Sequence, residues 1–188
     1  MLDKKEFDQI RKELEAKEAE REEVIQLSRE IISISKQVIY AAHRDDMKKA
    51  ASAVEDIKKK KKELETKKTN LDTNIDQVAF QEYVEALCYY EFIKTGQVPS
   101  AKSLSVSYED YLLGLCDLTG ELVRKAVALS IKKDYAGVEK IKELVAEIYG
   151  QFLQFNLRNG ELRKKSDSIK WNLNKLEDLV YDIQLKRK

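Results

Sequence analysis

The sequence predicts an all-α protein, a bundle of about six to seven helices with long elements. Three observations carry this. Charged residues make up 37% of the 188 positions, and apolar residues recur among them at helical spacing. Pro99 is the only proline, so long stretches run without a helix breaker. No segment shows the strict alternation of a half-buried strand. The length suits one domain with a real core, spanning residues 1–188.

Taken in order, residues 3–43 read as one long helix. Its first half is dense in Glu and Lys with few apolar anchors. From Val24 onward, Val24, Leu27, Ile31, Ile34, Val38 and Ala41/Ala42 recur at helical spacing. Asp45-Asp46 interrupts this helix and can cap a second one running through Ala50, Val54, Ile57, Leu64 and Leu71. The run from Lys58 to Lys62 on it reads as a solvated face. Thr73 and Asn74 are N-cap residues for a third helix over about 75–95, which Thr95-Gly96 stops. Residues 97–107, with Pro99, form a connection holding at most a short helical turn. Ser107-Tyr-Glu-Asp110 resembles a capping box with Asp at its fourth position, opening a fourth helix to about Lys133. Asp134 can cap a fifth, reaching about Asn156, and Asn159-Gly160 breaks the chain. The last helix, about 161–185, puts Leu162, Ile169, Leu173, Leu176, Leu179, Val180 and Ile183 on a broad apolar face. The third and fourth helices are apolar nearly all round and are expected at the centre.

Composition excludes several functions. The formal charge of +1 gives no global basic field, so a polyanion partner would need a local patch. No window approaches the ~20 apolar residues of a membrane span, and the first residues do not read as a signal peptide. Cys88 and Cys116 lie in apolar helical sequence without zinc spacing, which suits a reducing, cytoplasmic setting. There is no Gly-rich phosphate loop, no dinucleotide fingerprint and no Ser-His-Asp set, and His43 is the only histidine.

What remains is acidic. In the fourth helix, positions 110, 114, 117, 121 and 124 share one face and hold Asp, Gly, Asp, Glu and Arg. Leucines, Cys116 and Val123 cover most of the rest, which places Asp117 and Glu121 on or near a buried surface. Carboxylates there are costly unless protonated, paired or bound to a metal. Glu82 and Glu85, one turn apart in the third helix, offer a second pair. If the two helices pack side by side, the four acids can meet. Oxygen ligands alone suit Mg²⁺ (or Mn²⁺) rather than structural zinc. The alternative is a set of exposed or salt-bridged acids, with Arg124 and Lys125 within reach. Gly114 and Gly120 each cost about 1 kcal/mol inside a helix, which a close backbone or ligand approach would explain, although ordinary helix–helix packing is the favoured reading for the glycines alone. On the first helix, Arg29, Lys36 and His43, seven residues apart, with Arg44 adjacent, form a basic stripe able to meet phosphates. Tyr40 and Tyr89 are candidates to stack on bases, although core packing is the commoner use of tyrosine.

These stretches resemble the translin/TRAX family. The likeness lies in Ser28-Arg-Glu-Ile-Ile-Ser-Ile-Ser-Lys36 with His43-Arg44, and in Phe80-Gln-Glu-Tyr-Val-Glu-Ala86 with Phe92-Ile-Lys-Thr95. It continues in Asp110-Tyr-Leu-Leu-Gly114 with Asp117-Leu-Thr-Gly-Glu121. Asn156-Leu-Arg-Asn159, Leu162-Arg-Lys-Lys165 and Val180-Tyr-Asp-Ile183 are closer to translin. The resemblance implies a helical fold assembling into a hollow, octamer-like shell that binds single-stranded RNA or DNA. It further implies that Glu82, Glu85, Asp117 and Glu121 form a Mg²⁺-dependent endoribonuclease site, as in the TRAX branch. Translin departs from that acid pattern and is the non-catalytic partner. The long TRAX insertion after Phe92-Ile-Lys-Thr95 is much reduced here, and the mixed features point to a homo-oligomer. The rival expectation is a non-catalytic nucleic-acid-binding scaffold whose acids make salt bridges.

Overall fold

Asp3 opens the first element by accepting the Lys5 backbone N–H at 2.9 Å, and no breaker follows until Arg44. The result is helix α1, Lys4–His43, in a computed structural model that describes residues 2–67 and 73–186. The remaining elements are α2 (Met47–Glu65), α3 (Ile75–Thr95), α4 (Ala101–Leu104), α5 (Tyr108–Ile131), α6 (Tyr135–Phe152) and α7 (Glu161–Lys186). Among the described residues there is no strand, and no helix is long and apolar enough to cross a membrane.

α1 has two unlike halves. Residues 4–20 are exposed throughout, an overhang of roughly 25 Å at 1.5 Å per residue. Local pairs such as Arg11–Asp8 at 3.1 Å and Arg21–Glu18 at 3.2 Å support it. From Val24 the helix enters the core through Val24, Leu27, Ile31, Val38, Ala41 and Ala42. It packs on α2 and α3; α3 in turn packs on α5, and α5 on α6 and α7. The two helices that are apolar nearly all round, α3 and α5, are thus the central ones, as their sequences predict. Each large aliphatic side chain buried there, such as Leu87, Leu118 or Leu122, contributes ~1.5–3 kcal/mol.

The caps follow the sequence closely. Asp46, Ser107 and Asp134 accept the backbone N–H of Lys49, Asp110 and Gly137 at 3.1, 3.0 and 3.0 Å. The Ser107 hydroxyl also donates to Asp110 Oδ2 at 2.6 Å, so the Asp variant of the capping box closes through its side chains. Gly96 ends α3 in the left-handed region at φ 78°, its N–H bonded to Phe92 O at 2.8 Å. At the start of α3, Asn74 makes no side-chain cap bond; Thr73 Oγ1 accepts the Ile75 N–H instead, at 3.3 Å.

Three expectations are corrected. α2 ends at Glu65, and Leu71, expected on it, lies outside the described residues. α6 stops at Phe152 rather than near Asn156, because Leu153 and Phe155 beyond it are exposed and no core face holds the chain helical. The lysine run is not all solvated: Lys61 is 4% exposed and donates to Glu65 Oε1 and Ser105 O, both at 2.6 Å. It ties α2 to the left-handed end of α4, where Ser105 has φ 53°.

Asp45 fastens the α1–α2 turn to α5. Its backbone is left-handed at φ 61°, and its carboxylate meets Lys125 Nζ at 2.7 Å and Lys132 Nζ at 2.6 Å. The hydrogen bond from Lys125, then that from Lys132, lowers its pKa to about 2. This stabilisation is complete above the unfolded carboxyl's value of 3.8 and drains as pH falls toward 2. Asp45→Asn keeps a residue that tolerates the left-handed region but leaves Lys125, 5% exposed, without its anion. Because the Asp45 side is open to solvent, a loss of ~1–3 kcal/mol is expected in urea unfolding at pH 7. Unchanged stability would remove the pair from the account of the turn.

Candidate active site

Three helices each turn one face toward a common cleft of about 420 Å³. α1 contributes Lys36 and Tyr40, α3 contributes Glu82 and Glu85, and α5 contributes Glu121 and Arg124. On every one of them the spacing is three or four residues, so a single stripe per helix suffices. The approach of α3 and α5 that makes this possible depends on Gly114. A Cβ there would lie 2.6 Å from Val84 Cβ and Cγ1 and 2.8 Å from Gln81 O. Gly114 therefore marks the close backbone approach its sequence position suggested. Gly120 does not: a Cβ there would meet nothing nearer than Asn172 Nδ2 at 3.9 Å.

The acids divide by partner. Asp117 is held from α7, where Lys165 Nζ donates to its Oδ2 at 2.6 Å and to Gln81 Oε1 at 3.3 Å. Glu121 is held from α1 by His43 Nε2 and more distantly by Arg124 Nη1 at 3.5 Å. The hydrogen bond from His43 lowers the Glu121 pKa against the effect of burial, so the carboxylate is ionised and His43 Nε2 carries the proton. On the other side of the ring, Nδ1 lies 2.9 Å from the Tyr89 hydroxyl, whose proton burial keeps in place. Tyr89, His43 and Glu121 form a chain that fixes the carboxylate's position.

Glu82 and Glu85 have no hydrogen-bonded cation among the described residues. Burial raises the Glu82 pKa, with Lys36 opposing it and Asp117 adding to it. Burial pushes Glu85 up to about 8, with Asp117, Glu82 and Glu121 all raising it further. The cleft therefore keeps two acids without a hydrogen-bonded cation of their own, and burial with mutual repulsion holds the proton on Glu85 up to about pH 8.

The set consists of hard oxygen donors whose repulsion a divalent cation would relieve, so its chemistry fits Mg²⁺ or Mn²⁺. In the arrangement of the side chains, no three His, Cys, Asp or Glu among the described residues form a metal-holding group. Asp117 and Glu121 are turned to Lys165 and His43 instead.

The basic stripe is dispersed. Lys36 faces the cleft, and Arg29, two turns earlier on α1, is exposed outside it. His43 is turned inward to Glu121 rather than outward to a phosphate. Arg44 is exposed and lies against Tyr40. Sequence reasoning missed the placement of Lys165 and of the Tyr89–His43 pair. Lys165 had a signal: it stands three residues after Leu162 and four before Ile169, a lysine within the buried stripe of α7.

Two measurements probe this geometry. Gly114→Ala gains about 1 kcal/mol of helix propensity but drives a methyl into Val84 and the α3 backbone. A net loss of roughly 1–3 kcal/mol is expected, seen as a lower urea midpoint; a more stable protein would show that the helices can separate without cost. Glu85 binds its proton in the folded state up to about pH 8 but releases it near 4.5 when unfolded. Its ionisation therefore opposes folding: in EDTA, stability attributable to Glu85 falls as pH rises from 4.5 to about 8 and is level beyond. Glu85→Gln is expected to match the wild type near pH 4.5 and to exceed it progressively up to pH 8, whereas parallel profiles would show the carboxyl to be well solvated.

Comparison with known proteins gives this arrangement a context. The profile of the Translin family matches residues 19–187. The translin-associated protein X homolog of Schizosaccharomyces pombe is 29% identical over 202 aligned positions, covering 94% of this chain and 86% of that one. An uncharacterized protein of Methanocaldococcus jannaschii is 32% identical, covering 89% of this chain and 78% of its own length. Translin of Homo sapiens is 34% identical over a shorter 85-residue stretch, 45% of this chain and 37% of translin. Among solved structures, apo-NeC3PO superposes with a TM-score of 0.88 at 30% identity, covering 96% of this chain and 97% of the other. AfC3PO in complex with duplex RNA gives 0.85 at 25% identity, covering 97% and 98%. The chain belongs to the translin family.

Proposed function

We propose that this chain is a Mg²⁺- or Mn²⁺-dependent endoribonuclease that cleaves single-stranded RNA, working as a homo-oligomer whose subunits enclose the cleft. The observation that carries this reading is the unpaired state of Glu82 and Glu85 beside two further acids, in a cleft that also presents Lys36 and Arg124. A half-buried cluster of this kind is costly unless a cation joins it. The AfC3PO relative crystallised with duplex RNA supports a nucleic-acid ligand for the family, and the preference for single strands is part of the proposal. The two buried free thiols, Cys88 and Cys116, accommodate a cytoplasmic setting.

Glu82, Glu85, Asp117 and Glu121 would hold the ion. Bound there, Mg²⁺ or Mn²⁺ would supply a water of lowered pKa and positive charge for the phosphate. The chain's own residues do the rest. Lys36 and Arg124, on opposite helices across the cleft, neutralise the RNA backbone. Lys165, which pairs with Asp117 at 2.6 Å, would give up that carboxylate to the ion and would stand beside it as a second cation for the departing oxygen. Glu85, with a proton affinity set by burial and three neighbouring acids, is suited to take and return a proton near neutral pH. Glu121 stays ionised because His43, itself fixed by Tyr89, holds it.

A second reading has a specific observation in its favour. Lys165 and His43 already hold Asp117 and Glu121, as they would in a nucleic-acid-binding scaffold without catalysis. Cleavage of a labelled single-stranded RNA decides between them. The nuclease requires a loss of at least about 100-fold for Asp117→Asn and Glu121→Ala proteins that still assemble, and loss of wild-type cleavage in EDTA with recovery on adding Mn²⁺. RNA binding without any metal-dependent cleavage by the wild type would leave the scaffold.

A further inference from the structure

The two tyrosines that could meet a base are sharply different in place. Tyr89 is fully buried, with its hydroxyl committed to His43. Tyr40 is 53% exposed and lines the same cleft as Glu82, Glu85 and Glu121. Its half-open ring contributes little to the core, so packing does not explain it. Arg44, one turn later on α1, places its guanidinium carbon 5.4 Å from the ring centroid and donates from Nη1 to the Tyr40 hydroxyl at 2.9 Å. Phenol and guanidinium thus hold each other in one unit, exposed and positively charged, at the edge of an acidic cleft. Lys36, one turn before Tyr40, supplies a cation on the same stripe.

We propose that Tyr40 and Arg44 form a nucleobase-stacking subsite, taking the unpaired base next to the phosphate that the acids address. The proposal rests on the nuclease reading and extends it to the basis of strand selection. Aromatic faces interleaved with cations are what a single strand requires: every base offers a π-face, and the cations track its backbone. A duplex cannot use such a platform along its length, because each base face is already covered by its neighbours in the stack. The subsite therefore selects unpaired nucleotides without selecting their sequence, and the acids next to it receive a phosphate from a single strand.

The test uses the whole chain, in EDTA so that nothing is cleaved, with a fluorescent single-stranded RNA read by anisotropy. Tyr40→Leu is expected to weaken binding roughly 5- to 100-fold, and Tyr40→Phe, which keeps the ring but not the hydroxyl that holds Arg44, to weaken it clearly less than Tyr40→Leu does. A duplex of the same sequence is expected to be little affected by either change. The stacking itself is read in a Tyr40→Trp protein in which Trp171, the only native tryptophan and an exposed one, is changed to Phe. Single-stranded RNA is expected to quench that indole. Wild-type binding by Tyr40→Leu overturns the subsite, as does saturable binding without quenching, or a loss that tracks a change of mass in solution. Failure of the unaltered chain to bind RNA at all would instead strike the nuclease reading beneath it.

Discussion

Asp117 and Glu121 sit on the inner side of a helix whose other faces are apolar, so each must find a hydrogen-bonding partner from elsewhere in the chain. Within α5 the only bases near them are Arg124, 3.5 Å from Glu121, and Lys125, which is spent on Asp45. The partners come instead from the two ends of the sequence: His43 at the last turn of α1 and Lys165 near the start of α7. The order of packing, with α3 between α1 and α5 and α5 against α7, makes both contacts possible at once. The pairing of these two carboxylates thus couples the site to the packing of four helices. It also couples it to Gly114, whose missing side chain lets α3 and α5 approach.

Much of the fold was legible because helix boundaries are local. Asp46, Ser107, Gly96 and Asp134 announce caps within three or four residues of themselves, and the structure uses each one. The end of α6 was not legible, since Leu153 and Phe155 extend the apolar pattern but find no face to cover them. Lys61 was misread for the same reason: nothing near it in sequence reveals that Ser105 O, 44 residues away, waits for its ammonium. The acids were legible because each pair shares one helical face, and that periodicity is fixed by the backbone alone. Their cations were not, because His43 and Glu121 are 78 positions apart and Lys165 and Asp117 are 48 apart. Only the apolar positions flanking Lys165 gave notice that this lysine points inward.

The two pairs of acids differ in a way that bears on function. If the cluster existed only to bind neighbouring helices together, salt bridges would be expected throughout, since an unpaired carboxyl in a half-buried place lowers stability without return. Asp117 and Glu121 meet that expectation. Glu82 and Glu85 do not: neither has a hydrogen-bonded cation among the described residues, and Glu85 retains its proton to about pH 8. A residue at 85 without an ionisable group would remove that cost, and the cleft would lose nothing a scaffold needs. The retained cost makes sense where the carboxylates are used by something that enters the cleft. A cation that entered would find Glu82 without a hydrogen-bonded partner and would have to displace the proton of Glu85, while Asp117 and Glu121 would have to be drawn from Lys165 and His43. The same electrostatic tension among the acids would therefore tie occupancy by a cation to the arrangement of the cationic side chains around it.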